Sequence, residues 1–432
     1  MYLADSRSKA AVAPGTSPGR RAAAVPGTVL ALGAVSLITD VSSEMVSAVL
    51  PLYVVAGLGL SPLGFGLLDG INNGVGALVR LVGGHAADRG DGRHKTVAGI
   101  GYALSAACKP LLLLAHTVPL IGAVLAVDRT GKGLRTAPRD ALISLATEPE
   151  HRGRAFGVHR AMDTTGALLG PLAAFALLRA AVDGYDAVFA VSACVAAIGV
   201  LVLLLFVPAR PSAAPAPERR PSARDAIALL RLPVLRRLTL AAVVLGLTTV
   251  SDAFLYLLLQ RRLALPAHLF PLLPLGTAAA FLLLAVPFGA LADRLGRRRL
   301  FLAGHLVLLG GYALVLAPLH RGWVALAVLL LHGCFYAATD GVLAAATAGA
   351  VPPEHLGAGQ ALVGTGQALA RFACSLAFGA AWSVWGGQSA LAGAAGCLAV
   401  AACAATALVR DPRTGDRTDP ATGPRAAEEH SA

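Results

Sequence analysis

Apolar runs of roughly twenty residues, separated by short polar or basic breaks, recur along almost the whole chain. A helix needs about 20 apolar residues to cross the hydrocarbon core of a bilayer. By that measure the pattern predicts twelve spans, at 28–55, 62–83, 96–116, 119–146, 153–179, 186–207, 236–260, 268–290, 300–319, 322–348, 356–384 and 387–409. The expected fold class is therefore all-α and polytopic, with two pseudo-symmetric bundles of six helices. Between the sixth and seventh spans the chain becomes rich in proline and arginine from Pro208 to Pro221, which predicts an extended linker. From Asp225 to Leu235 it turns apolar again around Arg231, the pattern of a short interfacial helix. The domain boundaries follow: a disordered tail over 1–27, a first bundle over 28–207, a linker over 208–235, a second bundle over 236–409 and a second tail over 410–432.

Composition supports this division. Of 432 residues, 56% are hydrophobic and 14% charged, whereas a soluble domain carries about 25% charged residues. The 48 glycines and 26 prolines follow no collagen-like period and fall within or beside apolar stretches, where membrane helices tolerate them. A formal charge of +12 in a soluble chain would raise nucleic-acid binding. Here aromatics are 5% and the basic residues form short blocks between apolar runs, so the charge reports topology and no nucleic-acid partner is expected. The N-tail, with the loops after spans 2, 4, 6, 8 and 10, the C-tail and the span-end residues Arg154, Arg236 and Arg237, carries 24 of the 36 basic residues. The opposite loops carry Arg179, Arg261, Arg262 and Arg321. The positive-inside rule then places both termini in the cytoplasm.

The six cysteines, Cys108, Cys194, Cys334, Cys374, Cys397 and Cys403, all lie in apolar stretches without a CxxC pair. They are expected to be small buried thiols, not metal ligands or disulfides. Residues 1 to 26 lack the apolar core and cleavage site of a secretory signal. No nucleotide-binding loop, nucleophile elbow or His-Glu-x-x-His motif occurs, so no enzyme, ATP-driven pump, metal site or cofactor is expected.

The two halves repeat. Gly84 to Lys95 follows span 2 and Gly289 to Arg299 follows span 8; Pro149 to Gly153 follows span 4 and Pro353 to Gly357 follows span 10. Both matches are offset by about 205 residues. A duplicated six-helix unit is the architecture of secondary transporters whose repeats rock about a central site.

On these residues the chain resembles the major facilitator superfamily over essentially its folded length. Its loop motif Gly-x-x-x-Asp-Arg-x-Gly-Arg-Arg is matched by Gly289 to Arg298, and with one extra residue by Gly84 to Lys95. Span 4 is similar to Leu-x-x-x-Arg-x-x-Gln-Gly in Leu125, Arg129 and Gly133, with Lys132 in place of glutamine and Arg135 in place of a small residue. Span 5 carries Gly166, Gly170 and Pro171 as in the kinked helix of proton-coupled antiporters, although Ala174 and Phe175 replace a further glycine pair. The segments from Ser36 to Met45 and from Arg129 to Asp140 are similar to a bacterial permease group with mostly unassigned substrates, some linked to metal handling. The resemblance implies a monomeric multi-pass protein of the bacterial inner membrane that moves a small solute, with proton exchange and efflux. It implies cytoplasmic gating by Asp88, Arg89 and Arg93, and by Asp293, Arg294 and Arg297.

Ionisable residues inside spans cost about 2.5–3.5 kcal/mol each on insertion scales, so their clustering calls for a role. Helical spacing stacks Asp40 with Glu44 on span 1. It also stacks Asp69, Asn72, Asn73 and Arg80 on span 2, and Asp128, Lys132, Arg135 and Arg139 on span 4, with Arg129 and Asp140 on an adjacent face. Span 3 adds Lys109; span 5 adds His159, Arg160 and Asp163. The near balance of sign suggests ion-pair networks. The second half offers Asp252 and Tyr256, the stripe His332, Tyr336 and Asp340, and the stripe Gln360, Gln367 and Arg371, while His305 reads as a core histidine.

Proton coupling is expected at Asp40 or Glu44 with Arg129 as the switching cation, or at Asp163 with His159. The expected substrate-binding set is Asp69, Asn73, Lys132, Arg135, Asp252, Tyr256, Tyr336, Gln367 and Arg371. The basic surplus on span 4 favours an anionic or zwitterionic solute. Two alternatives stand beside this reading: a metal cation or metal complex held by Asp40, Glu44, Asp69 and Asp163, and a membrane scaffold or receptor without transport.

Overall fold

A computed structural model describes residues 25–88, 94–182, 184–208, 228–319, 321–352 and 355–409. The expected gating residues Arg89 and Arg93 lie outside the described residues, and Asp88 is the last residue of its helix. Residues 1–24, 209–227 and 410–432 of the expected tails and linker lie outside them as well.

Among the described residues there are thirteen α-helices and no strand. The first half contains α1 (Gly27–Leu52), α2 (Pro62–Asp88), α3 (His94–Leu111), α4 (Val118–Leu145), α5 (Arg152–Ala180) and α6 (Gly184–Phe206). The second contains α7 (Pro233–Gly246), α8 (Asp252–Leu263), α9 (Leu272–Leu295), α10 (Arg297–Leu316), α11 (Trp323–Ala348), α12 (Leu356–Trp385) and α13 (Gly387–Val409). Among the described residues, eight helical stretches are long and apolar enough to cross a membrane, and the expected spans 2, 3, 4 and 7 are not among them. Spans 2 to 4 each carry charged residues that lower their hydropathy, and span 7 is divided. Large apolar side chains such as Leu283, Val286, Leu326 and Val400 stand exposed on the outer surface, as expected where lipid replaces protein neighbours. The same surface corrects the expectation for cysteine. Cys108 and Cys374 are buried and Cys334 is half-buried, but Cys194, Cys397 and Cys403 are exposed, and all six are free thiols. An apolar sequence neighbourhood does not separate a lipid-facing position from a protein-facing one.

The division of span 7 also departs from the continuous helix expected over 236–260. The sequence from Gly246 to Ser251 places threonines beside a glycine. Thr248 Oγ1 donates to the carbonyls of Val244 and Leu245, and Thr249 Oγ1 donates to that of Leu245 at 2.8 Å. Side-chain bonds of this kind compete with the helical ladder. The helix resumes at Asp252, so its N-terminal residue faces the middle of the molecule. At the other end of the expected interfacial helix, the described residues form a single turn, Leu229–Arg231, that leads into Pro233 at the start of α7.

Close packing organises each half. On α5, a Cβ at Gly166 would stand 2.3 Å from the Leu37 carbonyl oxygen, and one at Gly170 would stand 2.7 Å from Glu44 Cβ. These glycines let α5 lie directly on α1, with Pro171 one residue further along the same continuous helix. The halves meet in a second such contact. A Cβ at Gly66 on α2 would lie 2.5 Å from the Ser375 carbonyl oxygen on α12, and one at Gly379 would lie 2.6 Å from the Pro62 carbonyl oxygen. Small residues of this kind allow backbone approach between membrane helices. The Leu63 amide donates to Ser383 Oγ at 3.1 Å across the same contact. Beside it Phe65 of the first half packs edge-on to Phe254, 4.9 Å between centroids, and Phe254 in turn packs on Phe378 and Trp382. Phe175 of α5 meets His268 at the same end. The end of the molecule bearing the α1–α2 and α8–α9 turns is thus sealed by contacts between the halves.

Candidate functional site

Beneath that seal lies a cavity of about 380 Å³ shared by the two halves. α1 and α2 contribute Ser47, Asp69, Asn72 and Asn73; the break before α8 contributes Thr249 to Ser251; the turn before α9 contributes Phe270; and α8, α9, α11 and α12 add Asp252, Tyr256, Phe281, Tyr336, Asp340, Arg371 and Ser375. Pockets for small molecules typically combine a few convergent polar groups with apolar walls in this way. A discontinuous helix at the centre of a bundle is a recurrent feature of transporter sites.

Two carboxylates are held by named donors. Tyr336 donates its phenol to Asp252, at 2.6 Å to Oδ1 and 2.8 Å to Oδ2, and His332 Nε2 lies 3.0 Å from Oδ1. Asp69, almost fully buried, accepts from Ser375 Oγ at 2.5 Å, and the Ser251 hydroxyl is close by. Both serines belong to the other half, so Asp69 joins the halves at the roof of the cavity. Tyr256 donates to Thr277 Oγ1 at 2.8 Å. Arg371 faces Tyr336, Asp252 and Asp340, and its Nε is buried without a hydrogen-bond partner.

Of the residues predicted to bind substrate, the cavity brings together Asp69, Asn73, Asp252, Tyr256, Tyr336 and Arg371. Lys132, Arg135 and Gln367 do not line it. Arg135 instead donates to Asp40 at 3.2 Å, with its guanidinium 4.5 Å above the Tyr102 ring. Lys132 is surrounded by Arg129, Asp128 and Glu44. The ring of Tyr102 explains why Arg135 turns away from the cavity: a planar guanidinium can stack on an aromatic face and bond a carboxylate at once.

The remaining charges of the first half form two further networks. Asp128 accepts from Lys109 Nζ at 2.9 Å and Ser105 Oγ at 2.6 Å, and Arg129 Nε stands 4.0 Å from it. Arg139 bonds Asp140 at 3.0 Å and lies 3.8 Å from Asp163, which Arg160 approaches to 3.6 Å. Asp40 and Asp163 are near enough to act on one another electrostatically. The expected pairing of Asp40 with Arg129 is therefore replaced by Asp40 with Arg135 and Asp163, and Arg129 stands beside its chain neighbour Asp128. His159, expected beside Asp163, bonds Ser36 Oγ through Nε2 at 2.9 Å. Helical phase placed these residues on shared faces of α4 and α5 but could not say which neighbouring helix each face meets. Of the second loop motif, Arg297 lies 3.5 Å from Asp293 and donates to the Ala345 carbonyl at 3.0 Å, tying α10 to α11, while Arg294 is exposed. His305 is buried, with Nδ1 2.8 Å from the Phe301 carbonyl oxygen.

Sequence reasoning placed Ser251 beside Asp252 and Tyr256 but missed Ser375 and the aromatic cluster of the seal. Isolated hydroxyls and aromatics in apolar spans carry no periodic signal. The series Gly66, Gly70 and Gly74, at steps of four, was a readable signal for the face of α2 that meets α12, where Gly70 and Gly74 lie against Phe372.

Comparison with known proteins accords with this architecture. A chain of Methanocaldococcus jannaschii, described as an uncharacterized MFS-type transporter, is 28% identical over 290 residues, which is 64% of this chain and 69% of the relative. A Mycobacterium tuberculosis protein is 34% identical over 158 residues, 36% of this chain and 38% of its own. Among solved structures, the nucleoside transporter NupG superposes with a TM-score of 0.77 at 15% identity, covering 89% of this chain and 99% of that one. A bacterial homologue of the lysosomal transporter Spinster, in an inward-facing and occupied conformation, gives 0.70 at 15%, covering 88% and 96%. The sequence profile of the Major Facilitator Superfamily matches residues 32–277 and 238–429. The chain is a multi-pass membrane protein of the transporter fold and belongs to the Major Facilitator Superfamily.

Proposed function

We propose that the protein is a proton-coupled secondary transporter, working as an exporter, that carries a small solute through the cavity between its halves by alternating access. The observation that carries this reading is the cavity itself, roofed by Asp69 of one half on Ser375 of the other. Rocking the halves apart at that end would break the Asp69 contact and expose the bound solute to the opposite side. We take the chain to cross the inner membrane twelve times with both termini in the cytoplasm, as the distribution of Lys and Arg indicates. In that orientation the sealed end is external and the molecule is inward-facing.

Coupling is assigned to Asp40 and Asp163. Asp40 and Asp163 act on one another electrostatically, and because two bare carboxylates repel, such a pair is suited to take up and release one proton. Arg135 and Arg139 flank the pair, and rearrangement of α1 against α4 and α5 would change how strongly those cations act on it. Glu44 and Arg129 are left outside this contact. The metal-cation alternative finds no such support, since among the described residues no group of three or more His, Cys, Asp or Glu side chains is gathered as a metal site.

Purified protein in liposomes, challenged with an imposed pH gradient and a solute panel, tests the proposal. Asp40→Asn and Asp163→Asn should abolish gradient-driven flux while preserving exchange of labelled for unlabelled solute at equal pH. Undiminished gradient-driven flux in both variants would refute the coupling assignment, and absence of any protein-dependent flux would refute transport.

A further inference from the structure

The charges of the cavity define a solute class more narrowly than its shape does. Four charged side chains line it: Asp69, Asp252, Asp340 and Arg371. Arg371 makes no hydrogen bond to the protein through its buried Nε, although Asp252 and Asp340 are close enough to act on it electrostatically. A buried guanidinium donor without an acceptor is costly unless a ligand supplies one. Asp252 and Asp69 already accept from Tyr336 and from Ser375. Asp340 has Arg371 as its nearby cation and is otherwise open to the cavity.

A simple anion would satisfy Arg371 but meet three carboxylates. A simple cation would suit the carboxylates but leave Arg371 unanswered. Both demands are met by one molecule bearing a cationic and an anionic group a few bonds apart. Phe270, just before α9, and Phe281 on α9 add apolar surface to the lining, suited to a hydrocarbon or aromatic substituent.

We propose that the solute is a small amphipathic zwitterion of the amino-acid or short-peptide kind, its carboxylate taken by Arg371 and its ammonium directed toward Asp340 and Asp69. This rests on the reading of the cavity as the transport site, and it reassigns recognition of the anion from the basic face of α4 to a single arginine on α12.

The test uses matched triplets: amino acids and dipeptides with apolar side chains, each as the free zwitterion, the C-terminal amide, which is a cation, and the N-acetyl derivative, which is an anion. Binding is read as thermal stabilisation of the purified full-length protein, and uptake by exchange in liposomes. At least one free form should bind about tenfold or more tightly than its amide and its N-acetyl derivative, the size expected when one charge-assisted hydrogen bond is lost. Arg371→Gln should weaken the free form by about tenfold or more and leave the amide within twofold, a change of charge preference that a merely structural role for Arg371 would not produce. Asp340→Asn should weaken the free form and the amide and spare the N-acetyl derivative. If an amide or N-acetyl form binds as tightly as every parent, or if no zwitterion binds, the inference is overturned. Gradient-driven flux of an uncharged or singly charged solute in the same liposomes would then show that the transporter reading survives without it.

Discussion

Removing one member of the Lys109–Asp128 pair should be among the most destabilising single changes in the first half. Both side chains are 4% exposed, and Lys109 Nζ and Asp128 Oδ1 are 2.9 Å apart with Ser105 donating to the same oxygen. Breaking a buried ion pair by deleting one partner costs about 3–5 kcal/mol, because the other charge is left desolvated and unpaired, whereas replacing both by apolar groups of similar volume is often neutral. Lys109→Met strands one carboxylate that still has Ser105 as donor and Arg129 within 4.0 Å. Asp128→Leu strands Lys109, which has no other ion-pair partner among the described residues. The aspartate variant should therefore fall at the upper end of the range, about 5 kcal/mol, and the lysine variant nearer 3 kcal/mol. The double variant should return to within about 1 kcal/mol of the parent. Arg129, 19% exposed, can turn to solvent when Asp128 is gone. The assay is unfolding of the detergent-solubilised protein by sodium dodecyl sulfate, followed by circular dichroism, for the four proteins of the cycle. A double variant as unstable as the worse single variant would refute the reasoning. Retained solute exchange in that double variant would further mark the pair as structural.

Two other perturbations follow from the geometry. Gly166→Leu drives a side chain into the Leu37 carbonyl oxygen, which a Cβ alone would approach to 2.3 Å; unfolding of the variant should show a loss of at least about 1–3 kcal/mol, and parental stability would contradict the close α1–α5 contact. Tyr336→Phe removes the phenol that bonds both oxygens of Asp252; solute affinity measured by thermal stabilisation should change by about tenfold or more, and an unchanged value would detach this pair from the site.

The fold was legible in the sequence because the bilayer imposes a strong periodic constraint, and the duplicated loops at Asp88 and Asp293 disclosed the two halves. The cavity was legible in part. Asp69, Asp252, Tyr336 and Arg371 announced themselves as polar groups in apolar spans, where such groups need a reason. What periodicity could not supply was partnership. The stripe of Asp128, Lys132, Arg135 and Arg139 reads as one basic face, yet Arg135 is turned to Asp40 by the Tyr102 ring, and Asp128 is held by Lys109 from α3. Such choices depend on how helices far apart in sequence are set against each other. The break in span 7 arose from a competition between threonine hydroxyls and backbone carbonyls that hydropathy does not register.

Alternating access through the seal between α2 and α12 is tested most directly by locking it. In a background with the native cysteines replaced, Leu63→Cys with Ser383→Cys places one thiol on each helix at the contact where the Leu63 backbone amide donates to Ser383 Oγ. After oxidation to the disulfide, solute exchange across the liposome membrane should be abolished, while binding from the open side persists and reduction restores exchange. Undiminished exchange through the locked protein would contradict transport by opening of this end.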